Sequence, residues 1–369
     1  CLAMVAYGWT FHAGFFNYYL SVGLAFWGLA IFLWGKDGKR YLALALAPLI
    51  LLAHPMGLVW FLGALAYIAI AGRIAVRLQI FLLAAPAAML AWLRSYLWNH
   101  FRPDEVDWPK YLYQGADQLA LSTSRHVYVA AAALAFGTTC VLLDFVKRRK
   151  EPRYLEKLGT PLQLYFILEM AVFFLPDTLF LPIFSNPFGW IIARLTLISA
   201  VLGCSILAAV KPRPWHAAGF TIIAVVFFFL NYRETTPLNQ MEQQVERLLD
   251  GLPRNARLLE TILPRPESRL YFVDHVVDHA CIRRCFAFEN YEPASKQFRV
   301  RAGAGNAIVL ADAGDVGDAE EGTYEVPQEI LPAFQVYQCG KEFSQLCLRT
   351  LRAGEKNDRL GLHPERNDD

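Results

Sequence analysis

The chain has 369 residues, 55% of them hydrophobic, with 35 basic side chains against 33 acidic ones and a formal net charge of +2. That balance, with no basic face or tail beyond short clusters flanking apolar runs, excludes a nucleic-acid binder. The apolar residues are concentrated before Asn231, so the expectation is a polytopic membrane protein carrying a soluble C-terminal domain. The first residues, Cys1-Leu2-Ala3-Met4, hold neither an initiator Met nor a basic signal n-region, and the chain reads as a fragment with its N-terminal part absent.

Taken in order, the first apolar run is Phe15–Trp34, close to the ~20 residues a helix needs to cross hydrocarbon. Tyr41–Ala53 and Met56–Ala71 follow, each short for a span and separated by His54-Pro55. Next come Leu78–Trp98, a polar loop over 99–126, and Val127–Val146. Leu162–Phe180, the Pro-rich turn Leu181–Gly189, Ile191–Val210 and Trp215–Leu230 complete eight segments. Cytoplasmic loops carry excess Lys and Arg. The clusters are Lys36/Lys39/Arg40, Arg73/Arg77, Lys147/Arg148/Arg149/Lys150 and Lys211/Arg213. Eight crossings place all four on the cytoplasmic side, and the opposite loops 1–14 and 181–189 contain no Lys or Arg. The domain after about Tyr232 is then expected outside, on a bacterial inner membrane.

In that domain, Leu238, Met241, Val245, Leu248 and Leu249 predict a helix over 236–250, ended by Gly251-Leu252-Pro253. Strand-like pieces follow at Arg257–Ile262, Leu270–Val273, Gln297–Val300, Ala307–Leu310 and Val336–Gln338. The expected fold is therefore a helical membrane domain over 1–231 and a small extracytoplasmic α+β domain over 232–354. Residues 312–322 and a tail over 355–369 read as mobile.

Cys1, Cys140 and Cys204 lie in apolar segments, while Cys281, Cys285, Cys339 and Cys347 belong to the polar domain. In an oxidising compartment the four predict disulfides, preferably the local pairs Cys281–Cys285 and Cys339–Cys347. Two readings stay open beside it: unpaired thiols, or a zinc site built from His275, His279, Cys281 and Cys285. The latter meets the Cys-x2-Cys and His-x3-5-His spacing of a zinc knuckle only by half, and Arg283-Arg284 would set positive charge beside the metal.

The candidate chemistry gathers on the outer side. His12 and Asn17 stand at the mouth of the first span, His54 at the apex of the broken pair, and His100 and Arg102 at the start of the 99–126 loop. Asp177 falls near the outer end of its span, Glu169 lies mid-span, and Arg194 sits one turn into an otherwise uncharged span. Ionisable residues in spans are costly and tend to face a cavity or a partner. Arg194 either snorkels to the headgroups or holds an anionic lipid phosphate, a task that suits the guanidinium fork. For Glu169 and His54 the structural readings are a paired carboxylate and a turn histidine closing the helix pair. No Walker A, His-Glu-x-x-His or Gly-x-Ser-x-Gly motif is present.

Phe16-Asn17-Tyr18-Tyr19-Leu20 opening a span, the short-helix pair across Leu49–Gly57, the Pro/Gly turn before Arg194 and a domain after the last span together resemble the GT-C class of membrane glycosyltransferases. Val277–Phe286 and Asn290-Tyr291-Glu292-Pro293 are similar to the tail of bacterial membrane proteins of this layout. The resemblance implies transfer of a sugar from a polyprenyl-phosphate donor to an extracytoplasmic acceptor, with the catalytic carboxylate upstream of the residues present. Arg194, His54, His12, Asn17, His100 and Arg102 would then serve the lipid phosphate or substrate. No cofactor is visible, and ligands for a divalent metal are not identifiable. The partners implied are the bilayer and the lipid-linked donor. A transporter fragment and a non-catalytic membrane scaffold are the other classes the sequence leaves open.

Overall fold

The computed structural model describes residues 1–75, 78–106, 108–182, 188–262, 270, 273, 276–287, 318–319, 322–339 and 345–358. The chain divides into two compact units, one of residues 1–182 with 188–228 and the other beginning at 229. The first is helical and the second holds a small sheet.

In the helical unit, α1 (Leu2–Ala6) and α2 (Trp9–His12) precede α3 (Phe16–Trp34). A 3-10 segment over Asp37–Leu46 leads into α4 (Ala47–Ala53), and α5 (Pro55–Ala71) follows. His54 between them is extended, as a residue before proline tends to be. Pro55 takes the first helical position, where its missing N–H costs nothing. Then come α6 (Gln79–Leu82), α7 (Ala84–His100), α8 (Ser124–Arg148), α9 (Pro152–Phe174), α10 (Ile191–Ala209) and α11 (Pro214–Leu249). Five of the described helical segments are long and apolar enough to cross a membrane: 16–34, 79–100, 124–148, 191–209 and 214–249. The shorter apolar helix α5 stands beside α3. They cross closely at Gly57, where a Cβ would fall on the Ser21 hydroxyl.

Helix α10 is central: 61% of its apolar window is buried, against 11% for residues 79–100 and for α11. Ile192, Leu197 and Ile198 of α10, Tyr18 of α3 and Phe61 of α5 join Leu164, Leu168 and Val172 of α9 in one core.

Among the described residues the second unit holds four strands, β3 (Ala256–Thr261), β4 (Cys285–Ala287), β5 (Ala333–Gln338) and β6 (Leu346–Leu351), with α12 (Val276–Cys281) before β4. Their order is β4-β3-β5-β6; β3 runs parallel to both neighbours and β6 antiparallel to β5. Met241, Val245 and Leu249 of α11 pack with Leu258, Val277 and Val336. Cys281 is bonded to Cys285, and Cys339 to Cys347. The first bridge occupies two of the four ligands that a zinc site would need, and His279 pairs with Glu242 instead.

Four expectations need correction. The helix expected over 236–250 is not separate, because α11 runs unbroken through Pro237. The Thr235 hydroxyl donates to the Asn231 and Tyr232 carbonyls, and that of Thr236 to Tyr232, back-bonds in the turn before the proline, which itself removes only the N–H that would meet the Arg233 carbonyl. The segment expected over 162–180 begins earlier and stops at Phe174, since Leu175 precedes Pro176 and leaves the helical region. Asp177 therefore lies off the helix, and Thr178–Phe180 forms β2, paired antiparallel with β1 (Arg102–Asp104). Finally, the start of the supposed tail is fixed: Asn357 is fully buried, and its side chain donates to Thr261 Oγ1 and the Ala319 carbonyl. Residues 297–300, 307–310, 312–317 and 359–369, and most of 263–275, lie outside the described residues.

Candidate functional site

Of the six residues expected to serve a lipid phosphate, the structure brings two together. Arg194 Nη1 lies 3.5 Å from His54 Nε2. The backbone that holds them is tied to the same cluster: the Tyr18 hydroxyl donates to the Arg194 carbonyl at 2.9 Å, and the Ser21 hydroxyl to the His54 carbonyl at 3.3 Å. The guanidinium stands over the ring of Phe15 at 4.2 Å and that of Phe188 at 5.5 Å, contacts that favour a cation. The Tyr18 ring meets the His54 ring edge-on at 5.1 Å.

His54 caps α5. Its Nδ1 accepts the Met56 N–H at 3.2 Å, which places the ring proton on Nε2. Nε2 then faces Arg194 as a donor, and so does Nη1. Arg194 Nε is buried and has no hydrogen-bond partner among the described residues. Donors thus converge around the guanidinium with no acceptor between them among the described residues, an arrangement that suits an anionic oxygen.

Asp177 supplies negative charge nearby. Its Oδ1 accepts the Ile192 N–H at 3.1 Å and its carbonyl accepts the Ile191 N–H, so it caps the start of α10 across the turn. Burial raises the Asp177 carboxyl above its ordinary value, partly offset by the Ile192 N–H and by the charge of Arg194.

The remaining candidates lie elsewhere. Asn17 accepts the Tyr18 N–H, a local contact at the start of α3. His100 stacks on Tyr96 at 4.2 Å and bonds the Tyr96 carbonyl at the exposed end of α7. Arg102 is exposed in β1 opposite Phe180. His12 packs against Phe11, and burial together with the neighbouring His126 lowers its pKa. None of these four makes a hydrogen bond or ring contact with Arg194.

Glu169 accepts the Ser199 hydroxyl at 2.7 Å, which agrees with a paired structural carboxylate. A second polar cluster was not foreseen. Gln118, fully buried, accepts from Thr10 N and Thr10 Oγ1 and donates to the Ala193 carbonyl and Thr196 Oγ1. Thr196 in turn donates to Asp117 Oδ2 at 2.8 Å. The cluster clamps the 115–119 turn onto α10 beside Arg194. Its only sequence signal was Asp117-Gln118 set in an apolar stretch before α8. Among the described residues no three His, Cys, Asp or Glu side chains gather as metal ligands.

No family model, curated protein or solved structure matches this chain.

Proposed function

We propose that the chain belongs to a GT-C-like membrane glycosyltransferase, with Arg194 and His54 holding the phosphate of a polyprenyl-phosphate sugar donor. The observation carrying this reading is the convergence of His54 Nε2–H and the Arg194 guanidinium, with Arg194 Nε left unbonded. A phosphate oxygen accepts from such a fork and gains further as leaving-group charge develops. The positive-inside distribution supports the membrane orientation: Lys36/Lys39/Arg40, Arg73/Arg77, Lys147–Lys150 and Lys211/Arg213 share the cytoplasmic side. His54-Pro55 and the start of α10 then fall toward the outer side, and the domain after residue 229 lies outside the cell membrane. Two disulfides in that domain accord with an oxidising compartment.

The test is binding of a short-chain polyprenyl phosphate to the purified protein, with the matching polyprenol as control. The phosphate is expected to bind more tightly than the alcohol. Arg194→Ala should weaken phosphate binding by about tenfold or more, the scale of a lost charge-assisted hydrogen bond. Equal binding of phosphate and alcohol, or an unaffected Arg194→Ala protein, would overturn the assignment.

A further inference from the structure

Beside the Arg194–His54 pair, Trp190 holds a backbone that its residue type avoids. Immediately before α10 it has φ +53° and ψ +38°, the left-handed region in which a residue other than glycine is uncommon and strained. The chain fixes it there from both sides. Phe188 exchanges backbone hydrogen bonds with Leu179 at 3.0 and 2.9 Å, and the Ile191 N–H donates to the Asp177 carbonyl. Such strain persists where the surroundings over-determine it, and it points to a use for the side chain so placed.

That side chain is an indole, and the residue is 46% exposed. Phe15 and Trp9 meet it edge-on, with ring centroids 5.4 and 6.3 Å away, and none of the described rings stacks on it. Phe15 is shared, because the Arg194 guanidinium stands over the same ring at 4.2 Å. The Arg194 N–H also donates to the Trp190 carbonyl, which sets the two residues one helical turn apart, ~5.4 Å along the axis. On the orientation given by the basic clusters, Trp190 is the outer of the two. Asp177 already caps the start of α10, so the ring rather than the helix end is what this corner leaves open.

A tryptophan at a membrane boundary can sit among the headgroups. That role asks nothing of the backbone, and an unstrained residue would serve it. The neighbouring phosphate site asks more. In a polyprenyl-phosphate sugar, the prenyl chain and the sugar leave the phosphate through different oxygens. With the phosphate at Arg194 and the chain in hydrocarbon, the sugar falls on the outer side, at the level of Trp190. A pyranose has a face of C–H groups and a rim of hydroxyls; the face packs on a flat aromatic surface while the rim stays in water.

We infer that Trp190 is the platform for the donor's sugar, a pyranose stacked by its C–H face on the indole. This platform rests on the phosphate site proposed above and adds to it the group that would be transferred.

The experiment compares binding of a short-chain polyprenyl phosphate with that of the same phosphate carrying β-linked glucose or mannose, in detergent micelles, with the polyprenol as control. Wild type should bind a glycosylated form about fivefold more tightly than the bare phosphate, the scale of one aromatic contact. In Trp190→Ala and Trp190→Gly that ratio should fall to about one, and in Trp190→Phe it should be intermediate. Glycine adopts the left-handed backbone without strain, so Trp190→Gly decides the matter even where Trp190→Ala fails to fold. A role confined to packing would lower the melting temperature of Trp190→Gly and leave the ratio near its wild-type value, which would overturn the inference. A wild-type ratio of one with the bare phosphate still bound would also overturn it, and the phosphate site would stand. If neither phosphate binds better than the polyprenol, the phosphate site fails and the platform with it.

Discussion

With its Nδ1 engaged by the Met56 N–H, His54 turns its one ring proton toward a guanidinium 3.5 Å away, and the pair needs an acceptor that neither residue provides. Asp177 tempers this local positive charge from the start of α10. Its carboxyl is raised by burial, so its folded pKa exceeds the unfolded one. Stability is then lost as pH rises through that interval, from about 4 upward. Asp177→Asn keeps an acceptor for the Ile192 N–H and cannot ionise. The variant should therefore show a flatter dependence of melting temperature on pH than wild type, and bind polyprenyl phosphate more tightly because Arg194 is less neutralised. A pH dependence equal to wild type would place the titrating group elsewhere. At this scale Arg194 and His54 were legible, because a charge in an apolar run and a His-Pro break stand out in any reading. Their meeting was not: 140 residues separate them, and α3, through Tyr18 and Ser21, ties down the backbone of both. Gln118 was overlooked for the opposite reason. A neutral amide in a short loop carries no charge or period to mark it, and its importance comes only from burial.

Helix α10 is the element on which the site depends, and it is held from several sides. Asp177 caps its start, the 115–119 turn clamps its first turns, and Glu169 of α9 accepts the Ser199 hydroxyl. The turn approaches α10 closely at Gly115, where a φ of +86° suits glycine and a built Cβ would lie 2.5 Å from Ala200 N. Gly115→Ala should destabilise the helical unit by about 2 kcal/mol or more, since neither the dihedral nor the helix backbone can give way cheaply. Thermal melting in detergent reads this directly, and a midpoint within a degree of wild type would show that the clamp is slack. Helix α9 is secured at its C-terminal end, where Arg94 donates to the Phe174 carbonyl, Lys110 to those of Phe173 and Leu175, and both pair with Glu105. The apolar runs announced these helices because hydrophobicity over ~20 residues is a strong signal. Their ends were less legible. Pro176 closed α9 six residues before the apolar run did, while Pro237 failed to break α11, where the Thr235 and Thr236 hydroxyls take up nearby carbonyls. The sheet was half legible: β3 and β5 carry apolar residues in sequence order, whereas β4 is three residues long and β6 alternates Leu with Cys, Arg and Thr.

For the whole molecule, the membrane orientation is the premise on which the donor site and the oxidising environment of the disulfides both depend. It follows from four basic clusters and the parity of the crossings between them, so it is exposed to a direct test. In a background with Cys1, Cys140 and Cys204 replaced, single cysteines introduced by Lys150→Cys and Lys211→Cys should resist a membrane-impermeant maleimide in intact cells and react after permeabilisation. Those from Glu105→Cys and Gln243→Cys, both at exposed positions, should react without it. Cys281, Cys285, Cys339 and Cys347 should stay unlabelled until a reductant is added, because their sulfurs are paired. Labelling of Gln243→Cys only after permeabilisation would put the second unit in the cytoplasm. If Lys150→Cys and Lys211→Cys keep their pattern, α11 is then the segment that fails to cross; if they invert with it, one short segment alone, Tyr41–Ala53 or Met56–Ala71, fails to cross. His54 would move with it. A hairpin that dips into the bilayer and returns leaves the His-Pro break buried in hydrocarbon rather than at an interface, where no lipid phosphate reaches. Because such a hairpin removes two crossings at once, it leaves the labelling at the four introduced cysteines unchanged, so the labelling tests the orientation and the polyprenyl-phosphate binding experiment tests the site.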